Sequence, residues 1–320
     1  VKLGLFFDLR NPGPWARSSV GHVARSIDLV TGAEAAGIDA VWLSEHHLFP
    51  DGYLPQPLAF ACALAARTSR VRIGTAIMIA PLHHPAHLAE QAALADLISN
   101  GRIEVGLGTG YSPEEFALFG QSLDRRYGRT DATLAELRRL LDGGVITPGP
   151  VQNPFPLWAG YQGPQGAARA GKLGVGLLSL DRANAAIYAE ALEANGHGAA
   201  SARLGGVIDL IVCDDPEATS RRLVPHLAWQ RQTYAVARGV EQTFEEAVAG
   251  LEAKLAETGR LPGLPVLTPD DAIELVRKRT DGLPVEHVYL WASLAGMPDD
   301  LVERHIELVC SRLRPALGAA

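Results

Sequence analysis

The sequence predicts a (β/α)8 barrel, a single domain over residues 1–320. Two observations lead there: strand-like and helix-like segments alternate along the whole chain, and eight short apolar runs are bounded by glycine and proline. A third observation places the chemistry. Titratable and glycine-rich segments follow directly on several of these runs, at the end of the strands where barrel enzymes carry their sites. A doubly wound open sheet is the alternative architecture. The composition, 47% hydrophobic and 20% charged, is that of an ordinary globular protein.

The elements read in order as follows. A strand is expected at Leu3–Phe7, then a helix at Val20–Ala36, where Val23, Ile27 and Val30 fall on one face and Gly37 ends it. A strand at Ala40–Leu43 precedes an alanine-rich helix at Pro57–Thr68. The β-branched run Val71–Ile79 reads as strand three, and Pro85–Ile98 as a helix stopped by Asn100-Gly101. Ile103–Leu107 is strand four, followed by helices at Pro113–Phe119 and Ala132–Leu141. Leu157–Ala159 and Val175–Leu178 are strands, with helices at Gln165–Lys172 and Arg182–Ala194. Leu204–Val212 is strand seven. The helical excess of residues 216–260 that follows it reads as an insertion before the last β/α unit and a candidate lid. A helix at Asp270–Arg279, a strand at Val288–Trp291 and an amphipathic helix at Asp299–Leu313 complete the chain.

Charge and hydropathy exclude several functions. The net charge is −7 and no long basic run occurs, which argues against nucleic acid and anionic membranes. No apolar run approaches the ~18 residues of a membrane span. The first residues read as strand rather than as a basic leader, so no signal peptide is expected. Cys62, Cys213 and Cys310 are far apart, with no CxxC spacing, and read as buried thiols of a cytoplasmic protein.

Four segments carry the chemistry. The run Ala40-Val-Trp-Leu stops at Ser44-Glu45-His46-His47, which places an acid and two histidines at a strand end; a histidine there exchanges protons near neutral pH. Strand three, with small Gly74 and Ala76, admits a close backbone or ring and runs into His83 and His84, of which His84 is expected to cap or pack the turn. Gly106, Gly108 and Gly110 alternate at the end of strand four, which lacks the GxGxxG register and suggests a surface for a planar ligand. Gly160, Gly163 and Gly166, with Pro164 in the first helical turn, form a helix entrance rich in free N–H groups, suited to a phosphate. No metal is expected: HxH, HExxH and a cysteine–histidine cluster are all absent. The GxSxG elbow is absent too, and Glu114-Glu115 and Glu245-Glu246 read as solvated helix faces.

Taken together, SEHH, GTAIMIAPLHHP and LAEQAALADLISNGRIEVGLGTGYSPEEFALFG resemble the bacterial luciferase-like flavin monooxygenases, over residues 1–140, again over 156–174 and weakly over 268–317. The resemblance implies a (β/α)8 barrel holding reduced FMN or a deazaflavin at the carboxyl end of its strands. It implies His46 as the catalytic histidine, with Glu45 orienting it. It implies a non-prolyl cis peptide at Ala76-Ile77 beneath the flavin ring, Gly108, Thr109 and Gly110 beside the ring and ribityl chain, and Gly163, Gln165 and Gly166 at the phosphate. Three departures from the family pattern stand out. Gly108 occupies the place of the reactive cysteine of luciferase itself, so light emission is not implied. Thr109 occupies the place of a phosphate-binding arginine, and residues 142–155 are shorter than the usual connection.

The expected function is that of a monooxygenase using reduced FMN and O2 on an apolar organic substrate, supplied by a separate NAD(P)H:flavin reductase. The alternatives are a deazaflavin-dependent oxidoreductase and a flavin-binding protein without catalysis. The resemblance further implies a homodimer joined through the helices at 57–66 and 87–97. Trp15, Tyr53, Phe60, Tyr111, Trp229 and Tyr234 are candidates for pocket walls or for packing.

Overall fold

The structure is a computed structural model that describes residues 1–318. The strands are β1 (Lys2–Phe7), β2 (Ala40–Leu43), β3 (Arg72–Thr75), β4 (Met78–Ile79), β5 (Ile103–Gly108), β6 (Leu157–Ala159), β7 (Gly176–Leu178), β8 (Leu204–Ile208), β9 (Ile211–Val212), β10 (Val266–Leu267) and β11 (Val285–Trp291). The helices are α1 (Ser19–Ala35), α2 (Pro57–Ala65), α3 (Pro85–Ser99), α4 (Pro113–Leu118), α5 (Arg126–Leu141), α6 (Gly163–Leu173), α7 (Arg182–Ala194), α8 (Pro216–Ala237), α9 (Phe244–Thr258), α10 (Pro269–Thr280), α11 (Asp299–Leu308) and α12 (Arg314–Gly318).

Every strand pairing of the main sheet is parallel, in the order β3-β2-β1-β11-β8-β7-β6-β5-β4, and β3 also pairs with β5. That last pairing closes the sheet into a barrel. β3 and β4 are the two halves of one stave, so the barrel has the eight parallel staves expected. The sequence reading of one continuous strand from Val71 to Ile79 is corrected: the ladder breaks at Ala76-Ile77, whose peptide bond is cis.

Strand seven is also split. β8 ends at Ile208, and β9 leaves the barrel to pair with β10, a strand too short to show in the sequence pattern. α8 and α9 lie between β9 and β10, before the last β/α unit, as the helical excess suggested.

The interior of the barrel is filled from its floor. Phe6, Ala40, Trp42, Trp158, Leu178 and Tyr289 form a cluster inside the sheet, separate from the larger core between sheet and helices. Two indoles need so much of this space that the neighbouring staves have no side chain. A Cβ on Gly74 would lie 2.5 Å from the Trp42 ring, and one on Gly176 2.3 Å from the Trp158 ring. The small residue noticed in strand three therefore makes room for a tryptophan rather than for a ligand. Among the described residues, no helix is long and apolar enough to cross a membrane.

Candidate active site

At the carboxyl end of the barrel, β2 delivers Ser44, Glu45, His46 and His47 in succession. His46 keeps 12% of its side chain exposed, whereas the carboxylate facing it is sealed. That carboxylate belongs to Glu115. Its Oε1 accepts from His46 Nδ1 at 2.8 Å and from the backbone N–H of His47 at 2.8 Å. Ser112 caps α4 and turns it so that Glu115, in the first turn, faces inward. The reading of Glu114-Glu115 as a solvated pair is corrected: Glu115 is 0% exposed. The signal that could have found it is the capped first turn immediately after a strand end, with Phe116 beside it as a buried anchor.

Glu45 does not have the expected role either. Its Oε1 accepts from His47 Nε2 at 2.8 Å and from His83 Nε2 at 2.9 Å, and its Oε2 accepts from the Ile79 N–H at 2.6 Å. It holds His47 and His83, while His46 is oriented by Glu115. Burial alone would raise the Glu45 pKa, but the hydrogen bonds from the two histidines hold it below the usual carboxylate range. His84 caps α3, its Nδ1 accepting from the Ala86 N–H at 3.3 Å.

Around His46 stands an aromatic wall. Phe49 and Tyr53 lie with ring centroids 4.7 Å away, Tyr111 at 5.5 Å and Tyr234 at 5.9 Å. Of the aromatic candidates, Tyr53, Tyr111 and Tyr234 are thus at the site, Trp15 and Trp229 pack together behind it, and Phe60 lies in the core. Ser44, Tyr53 and Tyr234 form a chain of hydroxyls at 2.7 and 3.0 Å. Tyr111 has a buried hydroxyl without a partner among the described residues, as does Glu115 at Oε2. Burial, then the Glu115 charge, pushes the Tyr111 phenol up to about 12, so it is a neutral donor at physiological pH.

The wall is completed by the inserted helix α8, docked through a charged cluster that sequence reasoning missed. The Arg10 guanidinium lies 5.1–5.5 Å from the ring centroids of Phe49, Tyr53 and Tyr234. Its Nε donates to Asp51 at 2.7 Å, and its Nη2 to the Thr233 hydroxyl on α8. Trp229, also on α8, donates from Nε1 to Asp51 at 2.9 Å. Burial drives the neighbouring Asp8 carboxyl up to about 7 despite Arg10.

The residues expected to hold a cofactor lie at the same end of the barrel. Ala76 and Ile77 form the break in stave three. The Ile77 side chain fills the space left by Gly108 and Gly160, where Cβ atoms would come within 2.7 and 2.3 Å of it. Of the glycines at the end of β5, Gly108 therefore seats Ile77, Gly106 faces the Thr75 carbonyl and Gly110 faces Ile79 and Phe116, so none presents a bare flat surface. Thr109 points its hydroxyl to the Gly110 carbonyl at 3.3 Å. At the start of α6 no side chain caps the free N–H groups. Gly163 has φ +70° and open space at its Cβ, Gln165 is exposed, and Gly166 packs on Tyr161. Arg169 is committed to Asp131, which also accepts from Tyr161 at 2.6 Å. An uncapped helix start with open space at its glycine fits the phosphate of a flavin mononucleotide or deazaflavin.

Residues 1–275 match the family described as luciferase-like monooxygenase. The F420-dependent glucose-6-phosphate dehydrogenase of Amycolatopsis mediterranei is 30% identical over 187 residues, covering 52% of this chain and 56% of that protein. The oxygenase component of the flavin-dependent trigonelline monooxygenase of Acinetobacter baylyi is 37% identical over 98 residues, 31% of this chain and 27% of that protein. These matches thus span between about a quarter and just over half of the relatives' own length. The monooxygenase RslO1 from Streptomyces bottropensis superposes with a TM-score of 0.81 at 23% identity, covering 98% of this chain and 99% of that one, which establishes the shared fold.

Proposed function

We propose, from the premise that the chain belongs to the luciferase-like monooxygenase family, that it is a flavin-dependent monooxygenase acting with reduced FMN and O2 on an organic substrate. The observation that carries this reading is the His46–Glu115 pair, open to the barrel mouth on one side and anchored by a sealed carboxylate on the other. Because a carboxylate only accepts, Nδ1 of His46 carries the proton and Nε2 faces the mouth with its lone pair. His46 takes a proton from substrate at that atom and returns it. Tyr111, a neutral phenol without a partner among the described residues, donates to an oxygen of the bound substrate.

Reduced FMN, when bound, supplies the electrons that activate O2. Ala76, Ile77, Gly108, Thr109 and Gly110 hold its ring and ribityl chain. The N–H groups of Gly163, Gln165 and Gly166 take the phosphate, with backbone donors carrying the load that an arginine at Thr109 would share. α8 covers the site and excludes water, through Trp229, Thr233 and Tyr234. The reading includes a separate flavin reductase, a cytoplasmic setting and a homodimer, for which exposed Leu94, Leu97 and Ile98 on α3 offer an apolar surface.

A deazaflavin-dependent oxidoreductase is the second reading, favoured by the 30% identity to the dehydrogenase from Amycolatopsis mediterranei. Anaerobic titration with reduced FMN and with reduced deazaflavin, followed by admission of air, separates the two. Tight FMN binding with O2-dependent product formation across a substrate panel supports the monooxygenase. Binding of the deazaflavin alone moves the chemistry to hydride transfer, and FMN binding without turnover leaves a carrier.

A further inference from the structure

The Ile77–Ile79 segment is held from three directions. From below, the Glu45 N–H donates to the Ile77 carbonyl at 3.0 Å and the Ala76 N–H to the Leu43 carbonyl at 2.6 Å. From the side, the Ile77 side chain sits in the slot left by Gly108 and Gly160. From beyond, the Glu45 carboxylate takes the Ile79 N–H at 2.6 Å. Glu45 thus grips the chain just after the break in the stave at two points, Ile77 with its backbone and Ile79 with its side chain.

The grip needs the carboxylate to stay where it is. Glu45 is 1% exposed, and a buried carboxylate without donors would be strongly disfavoured. Two imidazoles supply the donors. His47, two residues along, reaches back to Oε1, but it shares the Glu45 strand end and moves with it. His83 comes from a different element, the turn after β4, and its Nε2 lies 2.9 and 3.0 Å from the two carboxylate oxygens. It adds, beside the Glu45–Ile79 bond, a second tie between the chain after β4 and the end of β2. Nothing in the proton chemistry at His46 uses it.

We propose that His83 is a positioning residue: it fixes the Glu45 carboxylate, and through it the Ile77–Ile79 backbone, as a preset platform for the flavin ring. The flavin half of this statement rests on the function proposed above; the clamp itself does not. It follows that the platform is shaped before any ligand arrives, and that its shape depends on a residue two contacts away.

The test uses the full chain and three proteins: wild type, His83→Ala and His83→Gln, whose amide reaches the same carboxylate. Hydrogen exchange at the Ile79 amide reads the clamp without any ligand. The FMN dissociation constant and the visible spectrum of bound FMN read the platform. In His83→Ala, Ile79 exchange accelerates and FMN binding weakens, each by about tenfold, the worth of one hydrogen bond to a charged group. The bound-FMN spectrum shifts as well. His83→Gln restores all three. Unchanged Ile79 exchange in His83→Ala overturns the clamp. So does a loss of protection spread evenly over β3, β4 and β5, which would mean general destabilisation. If His83→Ala does not fold, His83→Gln alone decides: wild-type exchange and FMN affinity support the proposal, and loss of either overturns it. If wild type binds neither FMN nor deazaflavin, the functional reading fails, while Ile79 exchange still decides the clamp.

Discussion

The two ends of the barrel are built from the same residue types to opposite effect. At the floor, Glu104 of β5 lies between His287 at 3.1 Å, Arg203 at 3.7 Å and Trp158, whose Nε1 donates to it at 2.7 Å; Arg72 donates to it as well. At the mouth, Glu115 faces a single partly open histidine, and one of its oxygens is left without a partner among the described residues. Glutamate and histidine meet in both places. At the floor the carboxylate is surrounded by cations and donors, and the trio Glu104, Glu286 and His287 could offer ligand atoms to a metal only by giving up those ion pairs. Burial would raise Glu104, but His287 and Arg72 hold it down to about 2. Unused bonding capacity alone does not separate the two ends, because both ring nitrogens of His287 also lack a hydrogen-bond partner among the described residues. Access does: His287 is fully buried, whereas His46 keeps part of its ring open to the mouth.

The sharpest way to break this comparison is to delete one histidine at the mouth. His46→Ala is expected to lower kcat/KM by about 10²–10⁴-fold, the usual worth of a general base. Thermal unfolding should fall less than at the floor, because Glu115 keeps the His47 N–H when it loses the imidazole, and near-normal turnover would remove the mouth from the chemistry. The matching cut at the floor, Glu104→Ala, should do the reverse. Leaving its cations uncompensated is expected to cost roughly 3–5 kcal/mol in denaturant unfolding. Activity per folded molecule should be unchanged.

Acid sharpens the same contrast. The folded-state pKa of Glu104 is depressed from 4.5 to about 2. Its contribution is then fully present above pH 4.5 and lost as pH falls through about 2. It amounts to roughly 3 kcal/mol at most, at 1.36 kcal/mol per unit. The difference in unfolding free energy between wild type and Glu104→Gln, followed from pH 6 to pH 2, should shrink; a constant difference would mean that the floor does not titrate this way. Glu115→Gln keeps the shape but loses the charge behind His46, and roughly a tenfold fall in kcat with little change in KM is expected. The smallest effect should come from Trp229→Phe. It removes one hydrogen bond between α8 and Asp51, about 1 kcal/mol of lid docking, readable as faster proteolysis between 216 and 260.

The barrel was legible in the sequence because its signal is repeated eight times. Short apolar runs buried on both faces and punctuated by glycine have few other folds to enter. The place of His46 at the barrel mouth was legible because a strand stops there. Glu115, Arg10 and His83 were not, because each acquires its meaning from a partner 38 to 223 residues away. No local pattern tells a buried Glu115 from an exposed Glu114. β10 escaped, and β9 was read as the tail of strand seven, for a related reason: two-residue strands exist only by virtue of each other. Gly74 misled in the other direction, since smallness is visible in sequence and the indole that demands it is not.

The seating of Ile77 between Gly108 and Gly160 has a consequence for descent and redesign. A cysteine at 108, the residue found there in luciferase, would put its Cβ 2.7 Å from Ile77 Cγ1. That change needs the Ile77 side chain to leave the slot or position 77 to shrink. Shrinking 77 alone leaves an empty slot between two glycines. Positions 77 and 108 are therefore coupled, and a redesign that keeps the slot filled exchanges them together.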